Sequence, residues 1–362
     1  MTALLVVAIL VLLIVVHELG HFVVAKLTKV RVEEFGVGYP PRAFLLAKIG
    51  KTEYTLNWLP FGGFVRLYGD DGVTEHGRGS ITDARPWVQA VILVAGVTAN
   101  AILAWFLFTN ALVLGVPTIV DAPQQGEKTQ LFVSDIVQGS PAAASGMAQG
   151  DEILMVADAK GQTLSPLTPD AMLEYVKERG GQKLTVTYQH GDSVEVATMQ
   201  PANAVVPSAA GRPALGIGLA LVANRALSWP SAFYEAFFIT RDAFVSTAQS
   251  LWGILIGLFT NKADLSDIVG PVGLVSVVHI ASKNGIGNVL KLAAFISVNL
   301  AIINLIPIPA LDGGRLLILF IEAIRRKKIP RIGIQLLNGL SIILVAILML
   351  VVTYHDIARL VG

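Results

Sequence analysis

His17-Glu18-Leu19-Gly20-His21 is the stretch from which both the fold and the chemistry of this chain are read. Residues four apart in a helix share one face, so His17 and His21 can bind one Zn²⁺ together. Glu18, one position further round the helix, can reach a water molecule at that ion. This combination is typical of a metalloprotease motif.

The motif lies inside a run of apolar sequence. Ala3 to Val16 is uninterrupted by polar residues, and Phe22 to Ala25 continues the run. The segment up to about Leu27 is long enough to cross about 30 Å of hydrocarbon. Ionisable side chains are costly at that depth and usually functional, which argues against a chance match to a short pattern. Because a basic n-region and an A-x-A site are lacking, we predict a retained transmembrane helix and not a signal peptide.

The composition of the chain agrees with a membrane protein. Of its 362 residues 54% are hydrophobic and only 15% are charged, and the mean hydropathy is +0.65. These values predict a polytopic membrane protein with room for one soluble module. The net charge of +1 gives no indication of nucleic-acid binding. Cysteine is absent, which excludes disulfides and thiolate chemistry.

Changes in composition divide the chain into eight segments. The predicted fold is a polytopic α-helical membrane protein with four transmembrane helices, a membrane-associated β meander and one extracytoplasmic module. The segments are a first span with the zinc motif (1–27), the β region (28–86), a second span (87–116), the module with its linker (117–224), interfacial amphipathic helices (225–288), a third span (289–314), a basic cytoplasmic loop (315–331) and a fourth span with the C-terminus (332–362).

The β region is predicted from four short β-rich runs separated by turn residues such as Pro40-Pro41 and Gly50-Lys51. Many positions taken as outward are apolar, which favours a sheet that dips into the membrane boundary; an ordinary cytosolic hairpin is the alternative. These positions are Phe35, Phe44, Leu45, Leu46, Trp58, Phe61 and Phe64. Asn100 lies in the middle of the second span, where an interhelical hydrogen bond is favoured over catalysis.

A third metal ligand is predicted after the third span. Pro307 and Pro309 unwind the helix at membrane depth, and Asp312 follows at once. A catalytic zinc takes three protein ligands and keeps one position open for water, which a carboxylate beside two histidines provides. We therefore predict Asp312 as the third ligand.

Basic residues set the predicted orientation. The loop before the last span and the first loop are both rich in lysine and arginine, so the positive-inside rule makes both cytoplasmic. The residues in the later loop are Arg315, Arg325, Arg326, Lys327, Lys328 and Arg331. Four spans with both termini outside then place the module at 117–224 on the extracytoplasmic face and the metal toward the cytoplasm.

The soluble module resembles a bacterial PDZ domain. The resemblance is carried by Ser140-Pro141-Ala142-Ala143, followed by Gly150-Asp151 and Ile153. PDZ folds bind extended peptide ends by strand addition, so the module is expected to recognise polypeptide. We expect it to limit access to the metal without taking part in the chemistry; a purely structural or docking role is the alternative.

Taken together, the two distant motifs and the inserted module resemble the site-2 proteases, specifically the RseP-type regulators of bacteria. The resemblance covers nearly the whole chain, from the histidine motif to Asn304-x-x-Pro307-x-Pro309-x-Leu311-Asp312-Gly313. The chain differs from many Gram-negative members of the family, because it has room for one PDZ module and not for two. A size filter made of two modules is therefore not implied.

The resemblance implies an intramembrane zinc metalloprotease of the bacterial inner membrane. Its expected partners are the lipid bilayer, single-pass membrane protein substrates such as anti-sigma factors or remnant signal peptides, and peptide ends at the PDZ domain. The β region is expected to present substrate as an added strand. The implied metal ligands are His17, His21 and Asp312. The implied catalytic residues are Glu18 as general base, with Asn299 and Asn304 assisting the binding of substrate or intermediate.

Two alternatives stay open at this point. A membrane-anchored zincin acting on substrates without transmembrane segments would share the first motif, but it would normally take a glutamate from a later helix. A non-catalytic PDZ membrane scaffold would keep the module without needing Glu18.

Overall fold

The structure is a computed structural model that describes residues 2–70, 77–123, 127–191, 193–203, 213–260, 270–327 and, in part, 329–353. Two compact units are present, one formed by Met1–Leu114 with Leu227–Gly362 and the other by Gly115–Ala226. In chain order the elements are α1 (Thr2–Leu27), β1 (Val32–Ile49), β2 (Thr52–Leu67), α2 (Pro86–Leu114), β3 (Val116–Ile119), β4 (Thr129–Ile136), β5 (Glu152–Asp158), α3 (Pro169–Glu178), β6 (Leu184–His190), β7 (Ser193–Met199), β8 (Ile217–Arg225), α4 (Trp229–Thr260), α5 (Pro271–Lys283), α6 (Ile286–Leu305) and α7 (Asp312–Arg325).

Three helices, α1, α2 and α6, are long and apolar enough to cross a membrane. They correspond to the first three predicted spans. The fourth predicted span lies largely outside the described residues, as do Lys328 and Arg331 of the predicted basic loop. The region predicted to hold interfacial helices contains α4, which is continuous over 32 residues, and the shorter α5.

Helices α1 and α2 pack closely because small residues lie between them. A Cβ added to Gly20 would lie 2.8 Å from Cβ of Ala99 and 2.9 Å from the backbone carbon of Ala95. The two helices run antiparallel, since His17 faces Asn100 and His21 faces Ile92. Small residues on one face of α2 thus allow close packing against the helix that carries the histidine motif.

The β region has the four predicted β-rich runs, but their order is not that of a meander. Residues 32–37 pair on one side with 63–67 and on the other with residues 53–56, which also pair with residues 44–48. The spatial order is therefore 63–67, 32–37, 53–56, 44–48. The meander prediction was wrong. It took Pro40-Pro41 as a turn between two strands, whereas these prolines lie within β1, where the strand bends.

One buried carboxylate links the strands of this sheet. Glu34 is buried and accepts hydrogen bonds from Arg42 at 3.1 Å and Thr55 at 2.8 Å, and it pairs with Arg66 at 2.9 Å. Thr55 and Arg66 lie in two of the other runs and Arg42 lies just before the third, so one carboxylate links all four. Phe44 and Trp58 are exposed, at 62% and 68%. Phe35 instead packs against Phe22 of α1, with ring centroids 5.4 Å apart, so its predicted outward position was wrong.

The unit Gly115–Ala226 is built on a six-stranded sheet in the order β3-β8-β4-β5-β6-β7. Strands β4 to β7 and helix α3 lie between β3 and β8 along the chain. Its core is made of residues from the sheet and α3, including Leu131, Val156, Met172, Val186 and Leu221.

The two segments Met1–Leu114 and Leu227–Gly362, which form one unit, meet where residues 115–226 are inserted between them. The backbone N–H of Leu227 donates a hydrogen bond to the carbonyl oxygen of Leu112, at 2.9 Å. The end of α2 is therefore joined directly to the residues that lead into α4. The indole N–H of Trp105 on α2 also donates to the carbonyl oxygen of Phe233 on α4, at 2.9 Å.

Candidate metal centre

Three side chains converge at the place that the sequence motifs predict. Nε2 of His17 lies 3.1 Å from Oδ2 of Asp312, Nε2 of His21 lies 3.2 Å from the same oxygen, and the two Nε2 atoms are 3.2 Å apart. The histidines are four residues apart on α1, whereas Asp312 is nearly three hundred residues away along the chain. Both histidines are buried, so the cluster is enclosed by the protein.

Asp312 reaches the histidines because α6 ends seven residues before it. The helix ends at Leu305, and Ile306 is extended, with φ −62° and ψ 139°. Pro307 and Pro309 cannot donate backbone hydrogen bonds, and the chain turns through bonds such as that from Leu311 N–H to Ile308 O, at 2.8 Å. Helix α7 then begins at Asp312 itself.

Two glycines allow that turn to fold back on itself. Gly313 and Gly314 are buried, and a Cβ on either would collide with backbone atoms: those of Leu305 and Ile306 for Gly313, and those of Ile308 and Pro309 for Gly314. The first turn of α7 therefore packs directly on the preceding extended segment. Any larger residue would push Asp312 away from the histidines.

Helix α2 supports the histidines from the other side. Nδ1 of His21 is 2.7 Å from the carbonyl oxygen of Ile92, and Nδ1 of His17 is 3.4 Å from Nδ2 of Asn100. Between them, a Cβ on Gly96 would lie 2.7 Å from Cε1 of His17 and would also collide with His21. The sequence prediction missed this role of Gly96. Ile92, Gly96 and Asn100 are spaced four residues apart, which places them on one face of α2. This spacing identifies them as neighbours of the histidines only once the register of α1 against α2 is known.

Glu18 lines a cavity of about 570 Å³ beside the three side chains. Its Cγ lies 3.4 Å from the position that a Cβ on Gly63 would take, and Val65 lines the same cavity. Gly63 and Val65 belong to the outer run of the β region, so that run borders the cavity. At the same cavity, Nη1 of Arg315 lies 3.1 Å from both carboxylate oxygens of Asp70.

The two asparagines at the end of α6 differ in position. Asn304 lines the cavity, and its Nδ2 lies 3.3 Å from Nε2 of His17. Asn299 is exposed, and it is not among the described residues that line the cavity. The structure therefore brings Asn304 to the cluster and does not bring Asn299 there.

The cluster has the chemistry and spacing of a zinc site. Two imidazole nitrogens and one carboxylate are a common donor set for catalytic zinc, which binds them at about 2.0–2.1 Å. Tetrahedral ligands at that distance are about 3.3 Å apart. The observed separations of 3.1–3.2 Å are close to this value, and the three donors lie together in a group that could hold a metal.

Comparison with known proteins agrees with this geometry. The sequence profile described as Peptidase family M50 matches residues 5–350. The chain belongs to peptidase family M50. A relative in Clostridium perfringens, provisionally named a zinc metalloprotease, is 34% identical over 348 residues, which are 95% of both chains. Zinc metalloprotease RasP of Bacillus licheniformis is 30% identical and is covered to 96% in both chains.

Family M50 comprises the site-2 proteases and is zinc-dependent. This chain is therefore a zinc metalloprotease of the membrane, which confirms the predicted enzyme class and cofactor. A further relative is membrane metalloprotease ARASP, chloroplastic, of Arabidopsis thaliana, at 30% identity over 90% of this chain and 71% of its own. Among solved structures, the PDZ domain of an SdrC-like protein from Listeria innocua is similar to 25% of this chain and 92% of its own, at 23% identity and a TM-score of 0.21.

Proposed function

We propose that this membrane zinc metalloprotease hydrolyses peptide bonds within the transmembrane segments of single-pass membrane proteins. The observation that carries the proposal is the position of the cluster. His17, Glu18 and His21 lie in the second half of a 26-residue apolar helix, and Asp312 is brought to them just after a second one. A site for soluble peptides would not need ligands at that depth, where each ionisable group is costly.

In the proposed site His17, His21 and Asp312 hold the zinc ion. Zinc in such a site acts as a Lewis acid that polarises a carbonyl group and lowers the pKa of water to about 7. The three ligands leave one side of the cluster open toward the cavity that Glu18 lines. Two of the ligands come from one rigid helix and the third from a turn fixed by glycines, which gives a preorganised geometry.

Glu18 is the proposed general base. Its carboxylate lies on the cavity side of α1, where it can take a proton from the attacking water and deliver it to the leaving amine. Asn304 lies at the edge of the cluster, with its amide nitrogen 3.3 Å from His17. From there it can donate a hydrogen bond to a carbonyl oxygen as negative charge develops on it. For Asn299 a role in the site is the weaker proposal, because its side chain is exposed.

The outer run of the β region is the proposed binding edge for substrate. Among the described residues, 63–67 pair with a strand on one side only, and Gly63, Phe64 and Val65 line the cavity on the other. A peptide bond within a transmembrane helix is already hydrogen-bonded, so the substrate must unwind before it is cut. Pairing as an added strand along residues 63–67 would replace the lost hydrogen bonds next to Glu18.

For the soluble unit Gly115–Ala226 we propose a PDZ domain on the extracytoplasmic side of a bacterial inner membrane. Peptide ends are its proposed ligands, and restriction of access is its proposed effect on the protease. Anti-sigma factors and remnant signal peptides are the proposed kinds of substrate. The order of strands and helices in this unit and the basic loops of the other support this arrangement.

Substitution of Glu18 by glutamine tests the proposal. The purified Glu18→Gln protein should keep one zinc per chain, while cleavage of a reconstituted single-pass substrate falls by about 10²–10⁴-fold, the usual contribution of a general base. Glu235→Gln is the matched control, because Glu235 is exposed on α4 and does not line the cavity. Its activity should equal that of the wild type.

Mass spectrometry of the products locates the cleaved bond. A cut inside the apolar segment of the substrate is expected. Cleavage confined to a soluble tail, or equal turnover of a soluble peptide, would instead identify a membrane-anchored zincin. Substantial turnover by Glu18→Gln would show that the base lies elsewhere.

A further inference from the structure

Asn100 carries a polar group that the reaction as described leaves without a role. Its side chain is fully buried on α2, with Nδ2 3.4 Å from Nδ1 of His17. Its Oδ1 has no hydrogen-bond partner among the described residues. A buried carbonyl oxygen without a hydrogen-bond partner lowers the stability of a protein, so this arrangement needs an explanation.

The chemistry of zinc ligation supplies one. A neutral histidine that gives Nε2 to a metal carries its proton on Nδ1, and that N–H needs an acceptor. The amide nitrogen of Asn100 is a donor, so with this nitrogen toward the ring two donors would face each other. Rotating the terminal carboxamide by 180° exchanges the positions of Oδ1 and Nδ2 and leaves the rest of the side chain in place. It gives Nδ1–H of His17 an acceptor and gives Oδ1 a partner.

The other histidine of the cluster is already held in this way. Nδ1 of His21 lies 2.7 Å from the carbonyl oxygen of Ile92, an atom that can only accept. Ile92, Gly96 and Asn100 follow one another at intervals of four and so lie on one face of α2. This face supplies an acceptor for His21, space for both rings, and then the carboxamide next to His17.

We propose that Asn100 is a positioning residue of the metal centre. Its Oδ1 accepts the hydrogen bond from Nδ1–H of His17 and so fixes the tautomer and the ring orientation in which Nε2 faces the zinc ion. The proposal rests on the assignment of His17 as a zinc ligand. The hydroxyl of Ser297 on α6 donates a hydrogen bond to the backbone oxygen of Asn100 at 2.8 Å, and this bond does not involve the carboxamide.

The test compares zinc affinities of variants by competition with a chelator. Asn100→Leu has a similar volume but no acceptor, and its zinc affinity should fall about 10–100-fold, as is usual when the partner of a ligating histidine is lost. Asn100→Asp keeps an acceptor and should bind zinc at least as tightly as the wild type. Ser297→Ala removes a buried hydrogen bond to the same residue without touching the carboxamide, and it should leave zinc affinity unchanged.

A second readout separates positioning from stability. With Co²⁺ in place of zinc, the visible spectrum of Asn100→Leu should change, while those of Asn100→Asp and Ser297→Ala keep the wild-type shape. Thermal unfolding of the metal-free proteins controls for folding, and Asn100→Ala replaces the leucine variant if the latter does not fold. Wild-type zinc affinity in the variant without an acceptor, or equal loss in Asn100→Asp, would overturn the proposal.

The ligand assignment is checked separately with His17→Ala. Zinc affinity that is unchanged in His17→Ala would remove the proposed ligand set, and with it the role of Asn100. Zinc lost in His17→Ala but retained in Asn100→Leu would refute the role of Asn100 alone.

Discussion

A single methyl group at Gly96 should disable the metal centre while leaving the fold in place. In Gly96→Ala the new Cβ would lie 2.7 Å from Cε1 and 2.8 Å from Nε2 of His17, and closer still to Nε2 of His21. Non-bonded carbon atoms normally stay about 3.5–4.0 Å apart, so the overlap is roughly 1 Å. The ring of His21 cannot turn aside without breaking its 2.7 Å hydrogen bond to Ile92.

The expected effects on folding and on metal binding differ in size. Alanine is favoured over glycine in a helix by about 1 kcal/mol, whereas overpacking costs about 1–3 kcal/mol, so the net loss of stability is about 0–2 kcal/mol. Loss of an outer partner of a ligand lowers metal affinity about 10–100-fold. Here two ligand atoms are themselves displaced, and zinc affinity should fall by more than about 100-fold.

Zinc content after dialysis against graded chelator, together with thermal unfolding in detergent, measures both quantities. Gly253→Ala on α4 is the matched control, because a Cβ there meets nothing within 4 Å. It should keep wild-type zinc affinity and gain up to about 1 kcal/mol in stability. A Gly96→Ala protein that binds zinc as tightly as the wild type would refute the placement of Gly96 against the two rings.

Three further predictions follow from other parts of the chain. Asp312→Ala leaves only two imidazoles and should lose most of its zinc by elemental analysis; unchanged metal content would mean that the third ligand lies elsewhere. Burial alone would raise the pKa of Asp158, but hydrogen bonds from Arg179 and from the backbone of Gln162 and Lys160 outweigh it and hold that pKa below its usual value. A carboxyl with a lowered folded-state pKa contributes stability that is present above its unfolded pKa of about 3.9 and is lost as the pH falls toward the folded-state pKa. Hydrogen-exchange protection of Gly115–Ala226 should therefore weaken below about pH 4, and less so in Asp158→Asn. Finally, deletion of that unit with α2 joined to α4 should allow cleavage of substrates that still carry bulky external domains; a folded, zinc-loaded variant that cuts only trimmed substrates would contradict a role in limiting access.

The residues of the cluster could be predicted from sequence because each belongs to a local pattern. His17 and His21 are related by the period of one helix, and Asp312 is marked by the two prolines before it. The role of Gly96 and the contact between Asn100 and His17 depend on how α1 lies against α2. That register is set by packing between distant segments, and no local pattern encodes it.

The β region shows the same limit. Its four extended runs follow from composition, but their order depends on pairing between residues 32–37 and 63–67, about thirty positions apart. Pro40-Pro41 is equally compatible with a turn between strands and with a bend inside one. The side-chain partners of Glu34 favour the observed order, and they too become visible only when the chain is folded.

The hydrogen bond between Leu227 and Leu112 makes residues 115–226 an excursion that starts and finishes at one junction. The entropy of closing a loop grows slowly with its length, by about 0.6 kcal/mol for each doubling. The stability of the helices that carry the zinc ligands should therefore depend little on the length of the chain inserted between Leu112 and Leu227. A folded cassette with adjacent termini, or two such cassettes in tandem, could be grafted there without altering the protease core, so the cassette and the core are free to diversify independently.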